Sequence, residues 1–304
     1  MSAHDPNSPD VACAFAGCCA RRSTRVRLID PRVPELARSL TLFQYVQAVT
    51  GGRVAHIDQA GSYAPPTLRG EAFTVHPGEI TLRVDGAGID AAVVTRDAED
   101  TVAVHLLDHQ GRTIHRGRLL SEGDRLLAGL TDTIEAGTTP TAPPAPPAVP
   151  PWENGDQLTQ LDAILTDGGL ARRAEFHNYR AEHREIALDV VPAVLDHVCS
   201  VGLPIGVGVF APSVMQASYG PVHVTDRTLG GRVFAALAHS SVEFDLTAVH
   251  ACHLVRSTAA HGPTSALELD DEEGRCVAVI TQFGMVGADV HGAWEDLASS
   301  LPDA

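Results

Sequence analysis

Histidine and cysteine are the residues best equipped for chemistry in this sequence, with 15 histidines and 6 cysteines in 304 residues. His250, Cys252 and His253 stand closest together. On a strand, alternate residues share a face, so His250 and Cys252 point one way and His253 the other; the trio is not a ready-made zinc site. His177 and His183 are six positions apart and do not share a helical face. For each of these histidines, packing or surface exposure competes with ligation. Cys13, Cys18 and Cys19 read as free thiols in a tail, with metal binding or redox sensing as the competing use; Cys199, Cys252 and Cys276 are scattered, which argues against a disulfide framework. Gly206-x-Gly208 lies inside an apolar run and indicates core packing or close strand approach rather than a dinucleotide turn. The acidic run Asp270–Glu273, followed by Gly274, reads as a solvated hairpin tip. The sequence contains no Gly-x-Ser-x-Gly elbow, phosphate loop or His-Glu-x-x-His, so no catalytic set is assigned and the metal question stays open.

The elements that carry these residues fall into two halves. Residues 1–26 read as a flexible tail, 27–137 as a first unit, the Pro/Ala-rich stretch 138–155 as a polyproline spacer, and 156–304 as a second unit. Ala103–Arg112 aligns with Ala266–Arg275, each reading as strand, Asp-x-x-Gly turn, strand. Two apolar-polar alternations precede each block: 79–84 with 90–96, and 242–246 with 250–256. A helical pattern closes each, 124–130 and 293–301. The second unit opens with helices expected at 156–165, 171–188 and from Pro192 to a stop at Gly202, then strands at 204–210 and 214–219. The expected class is α+β, a tandem duplication in which each half is a large antiparallel sheet flanked by helices.

Composition narrows the partners. The formal net charge is -16, and all 22 basic residues are arginine. An acidic surface repels phosphate backbones, so nucleic acid is not an expected partner. The longest apolar stretch, 201–211, is broken by Gly202, Pro204, Gly206 and Gly208 and falls short of the about 20 residues that a span requires. Arg21 and Arg22 follow the apolar 11–20 segment instead of preceding it, the reverse of a secretory signal, so the expected location is cytoplasmic, without membrane insertion.

An ordered set of segments adds a resemblance. It comprises Pro204–Phe210, Gln216–Val222, Phe244–Leu246, Leu254–Arg256, Gly262–Leu269, Gln282–Gly284 and Ala293–Trp294, with Val54–Tyr63, Ile80–Arg83 and Asp108–Gly111 in the first half. In this order the segments resemble the HemS/HmuS/ChuS family of haemin-transport and haemin-degrading factors, over roughly residues 33–302. The resemblance implies haem held in a cleft between two repeats, for intracellular haem trafficking and iron acquisition, with or without haem degradation. It implies a haem ABC importer or a haem oxygenase as partner. Arg83 matches the family's strand arginine opposite the iron. The family's iron-ligating histidine falls on Thr159, and its propionate-holding positions fall on Ser257, Phe283 and Val286. Arg256 is the nearest substitute cation, and His177 and His253 are the substitute haem contacts. Because these anchors have changed, the resemblance also admits a member that no longer binds haem and serves as a binding or regulatory module.

Overall fold

The structure is a computed structural model that describes residues 25–29, 39–96, 100–130, 156–174, 183–259, 262–283 and 286–304. His177, Cys13, Cys18, Cys19, nearly all of the expected tail and the whole of the spacer lie outside these residues.

The fold is α+β and dominated by antiparallel pairing: among the described residues sixteen strands form one hydrogen-bonded sheet. The first half supplies β1 (Arg25–Ile29), β2 (Val46–Gly51), β3 (Ala55–Gly61), β4 (Thr67–Leu68), β5 (Thr81–Val84), β6 (Ala91–Arg96), β7 (Val102–Leu107), β8 (Thr113–Leu119) and helix α1 (Glu122–Leu130). The second supplies α2 (Gln157–Asp167), α3 (Leu170–Ala174), β9 (His183–Ile186), α4 (Val190–Val201), β10 (Pro204–Ala211) and β11 (Val214–Arg227). It continues through β12 (Arg232–Leu237), β13 (Ser240–Asp245), β14 (Ala251–Ala259), β15 (Gly262–Asp270), β16 (Cys276–Thr281) and α5 (Ala288–Ser299).

Neighbouring strands run β1-β6-β7-β8-β2-β3 in the first half and β9-β14-β15-β16-β10-β11 in the second. The seam is an exchange. β5 pairs with β11, matching Arg83 to Met215, and β13 pairs with β3, matching Glu243 to His56. The halves differ beside the exchange, where β12 and β13 form an antiparallel hairpin but β4 and β5 run parallel.

The Asp-x-x-Gly hairpins form as the sequence predicts. Asp108 Oδ1 accepts the backbone N–H groups of Gln110 and Arg112 (2.9 Å each). Asp271 Oδ1 accepts those of Glu273 (3.0 Å) and Arg275 (2.8 Å). Gly111 and Gly274 both take the left-handed backbone, φ 75° and 76°, which costs glycine little. Of the two uses expected at Gly206, core packing is present, since a Cβ there would meet the Phe283 ring at 2.3 Å.

One expected helix is not continuous. Among the described residues the 171–188 pattern begins in α3 but ends in a strand, because His183–Ile186 instead pairs with the edge of β14. Edge pairing satisfies a row of β14 backbone groups that would otherwise be open, and it overrides local helical preference.

A buried polar relay crosses the seam. Thr50 donates its only hydroxyl hydrogen to Gln216 Oε1 (2.8 Å), so its oxygen accepts from His115 Nδ1 (2.7 Å). His115 Nε2 is then the bare nitrogen and accepts the Tyr63 hydroxyl (2.8 Å). Burial, reinforced by His105 and Arg116, lowers His115 from 6.5 to about 3; burial and then Arg116 lower His105 to about 4. Both folded values lie below the unfolded value, so the stability they contribute is full above about pH 6.5 and is lost as pH falls through 4 toward 3. The urea midpoint is expected to begin falling near pH 6.5, above the main carboxylate range, and the fall between pH 6.5 and 5 should shrink in His115→Phe. A midpoint flat from pH 7 to pH 5 would contradict this assignment.

Candidate functional site

Helix α2 is defined at both ends by its own residues. Asp156 caps the N-terminus, accepting the Thr159 backbone N–H at 2.9 Å and also the Thr159 hydroxyl. Gly168 ends the helix in the left-handed conformation, φ 74°. Leu161, Ile164 and Leu165 are buried and pack into a cluster with Phe210, Met215 and Phe283. Thr159, Asp162 and Thr166 follow at three- and four-residue spacing and so share another face of the helix.

That face meets the first half. Asp162 Oδ1 accepts from Arg83 Nε at 2.5 Å, and Asp162 Oδ2 accepts the Gly70 backbone N–H at 2.9 Å. Arg83 is fully buried, donates from Nη1 to the Glu71 carbonyl (3.0 Å), and stands 5.6 Å from the Phe73 ring centroid. Its Nη2 is buried without a hydrogen-bond partner. Phe73 in turn meets Phe283 edge to face, with centroids 6.0 Å apart. Thr166 Oγ1 accepts from Arg69 Nη1 (3.0 Å), and Arg69 pairs with Asp85 (3.4 Å). Arg83 and Thr159, 76 positions apart in sequence, thus come within one helical turn of each other through Asp162.

The sheet face beneath α2 and α3 carries a second charged set. Glu268 is fully buried, receives Gln160 Nε2 (2.6 Å) and both contacts of Arg172 Nη2 (2.6 and 2.5 Å). Burial alone would raise the Glu268 carboxyl; Arg172, Gln160 and Arg173 outweigh it and hold it below the usual carboxylate range. Asp270 binds Arg173 Nη2 (2.6 Å) and His253 Nδ1 (2.8 Å), and His253 stacks on His183 with centroids 5.4 Å apart. Burial, with His253 beside it, lowers His183. Asp270 is 1 % exposed, which corrects the solvated-tip expectation for that residue; Asp271, Glu272 and Glu273 form the turn itself. The reason is parity: Asp270 shares the Glu268 face of β15, two residues on, and meets Arg173 of α3.

The sheet separates the other expected contacts. Arg256 pairs in register with Ser265, and its Nη2 donates to Ser299 Oγ (3.0 Å) on α5. Ser257 pairs with Thr264 on the opposite face, so Arg256 points away from α2. Arg184 and Arg256 line an open hollow of about 600 Å³ beside the C-terminal end of α5, where Arg184 pairs with Asp303. Phe283 and Val286 are buried, 5 % and 9 % exposed, and carry no charge. His253 lies on the α2 face but is held by Asp270. Cys252 is buried and its thiol is pushed up by burial and then by Asp270. Among the described residues no group of three or more His, Cys, Asp or Glu is placed to hold a metal ion. None of their helices is long and apolar enough to cross a membrane. Sequence reasoning missed Asp162; its only signal was an acidic residue three positions after Thr159 on a helix face, which by itself reads as solvated.

No protein-family model matches the sequence, and no curated protein is significantly similar to it. Solved structures do match. PhuS from Pseudomonas aeruginosa, described as a heme-binding protein and solved in apo and holo forms, superposes with a TM-score of 0.69. It is 17% identical, with 92% of this chain and 88% of PhuS covered. The heme degrading enzyme ChuS from Escherichia coli O157:H7 superposes with a TM-score of 0.71 at 15% identity, covering 91% of this chain and 87% of ChuS. At these identities the likeness establishes a shared fold.

The Arg83–Asp162 pair yields a stability test. Arg83→Met leaves Asp162 buried without its cation and is expected to cost about 3–5 kcal/mol in urea denaturation. Arg83→Met/Asp162→Leu is expected to recover more than half of that loss. A double variant no more stable than the single would mean that the two residues do not act as a pair.

Proposed function

We propose that this chain binds haem at the junction of α2 with β5 and carries it in the cytoplasm for iron acquisition. One observation carries the reading: the fold brings Arg83 to the helix face of Thr159. These are the two positions that the family resemblance assigns to opposite sides of the iron. The shared fold with PhuS and ChuS, described as heme-binding and heme-degrading, supports it.

The residues present fit a porphyrin in part. Phe73, Phe210, Phe283, Met215 and Leu161 pack together as an apolar cluster against α2, and Arg83 Nη2 is a buried donor with capacity for an acceptor. Iron ligation from α2 does not fit. Haem iron takes imidazole, thiolate, thioether or phenolate, and 157–167 offers none of these, the Thr159 hydroxyl being committed to Asp156. No oxidative step on haem follows from this site, and the reading is carriage. A haem importer upstream and a haem oxygenase downstream are the partners it calls for. The absence of cationic side chains at Ser257, Phe283 and Val286, together with the engaged Arg83, favours a second reading, a binding or regulatory module without haem.

We also propose that the chain arose by tandem duplication, with a first repeat at 27–137 and a second at 156–304 joined by the spacer. The support is the matching strand order, the matching hairpins, and bulges at equivalent places, between Leu106 and Leu107 and between Leu269 and Asp270.

Haemin titrated into the purified protein is expected to give a saturable, shifted Soret band at micromolar haemin. No band would favour the module reading. Thr159→His keeps the backbone cap and supplies an imidazole; it is expected to tighten haemin binding by about tenfold and to give the spectrum of an imidazole-ligated iron. An unchanged affinity and spectrum would remove α2 from the iron's surroundings.

A further inference from the structure

We infer that Asp162 is an internal latch: its carboxylate occupies Arg83 and clasps α2 onto the first half, and an anionic ligand enters by displacing it. The inference rests on the site proposed above but adds a residue and a regulation that the resemblance does not supply.

The geometry is that of a clasp. One carboxylate reaches two separate parts of the first half, β5 through Arg83 Nε (2.5 Å) and the 68–71 turn through the Gly70 N–H (2.9 Å). Gly70 presents that N–H from a left-handed backbone, φ 85°. One turn further along α2, Arg69 adds a second tie at Thr166 (3.0 Å). The two ties lie on the Thr159 face of α2, so releasing them frees the helix face that a ligand would have to reach.

The energetics favour a releasable contact over a permanent one. A buried ion pair gains Coulomb energy but loses the hydration of both charges, and the two nearly cancel. An incoming carboxylate that offers Arg83 the same charge and a partner for Nη2 therefore replaces Asp162 at little cost. Asp162, freed, turns to water. The ligand class this selects is a flat apolar molecule bearing carboxylates, such as haemin with its two propionates. A neutral porphyrin ester lacks the charge to displace Asp162.

The test uses the full chain and the variants Asp162→Asn and Thr166→Val. Hydrogen exchange without ligand reads the latch directly. Amides of α2 are expected to accelerate in Asp162→Asn by at least about tenfold more than those of α4, whose exchange reports the change in global stability. Thr166→Val, which leaves the buried pair intact, should accelerate the same amides less. Haemin is then expected to bind Asp162→Asn about tenfold more tightly than the unmodified chain. Unchanged α2 exchange in both variants overturns the latch whether or not haemin binds. Faster exchange with unchanged or weaker haemin affinity overturns the gating role. If neither chain binds haemin while α2 still opens in Asp162→Asn, the carriage proposed above fails and the clasp stands.

Discussion

The exchange of strands at the seam is the constraint on which the rest of this structure depends. β5, paired with β4 in its own half, also pairs with β11 of the second, and β13, paired with β12, also pairs with β3 of the first. An unpaired sheet edge is a row of open donors and acceptors, costly to bury and prone to pairing with other chains. The exchange closes two such edges against each other. It also places a side chain of the first half, Arg83, under a helix of the second, which neither half could do alone. The Thr50–His115–Tyr63 relay, ending on Gln216 of β11, ties the same seam from within the core.

Two buried ion pairs then fix the helices over the sheet. Arg83–Asp162 holds α2 to the first half, and Arg172–Glu268 holds α3 to β15, each at 2.5 Å. Such pairs contribute little net stability, because desolvation offsets attraction, but each is costly to leave half-made. They therefore specify where a helix sits more than how firmly the chain folds. Every basic residue here is arginine, whose planar fork suits these contacts. A site built from compensated buried charge can be reopened by a ligand that brings its own charge.

Local order was legible in the sequence; long-range placement was not. The Asp-x-x-Gly hairpins and the Gly202 helix end follow from residues near each other in the chain. The 171–188 helix failed because a sheet edge claimed His183–Ile186, a pairing to residues about 70 positions away. Asp270 looked solvated because neither Arg173 nor His253 is adjacent to it in sequence. Asp162 was invisible for the same reason, its partner lying 79 positions upstream. Arg83 was legible only through resemblance. Thr159, Ser257, Phe283 and Val286 were legible as departures from the resemblance; the last three are buried, and Thr159 is half-buried at the start of α2.

The position of iron decides the matter. An anomalous difference map at the iron edge, from crystals grown with haemin, is expected to place a single peak between α2 and β5, with Arg83 turned from Asp162 toward the porphyrin. A peak elsewhere on the molecule, with the Arg83–Asp162 contact intact, would contradict the account.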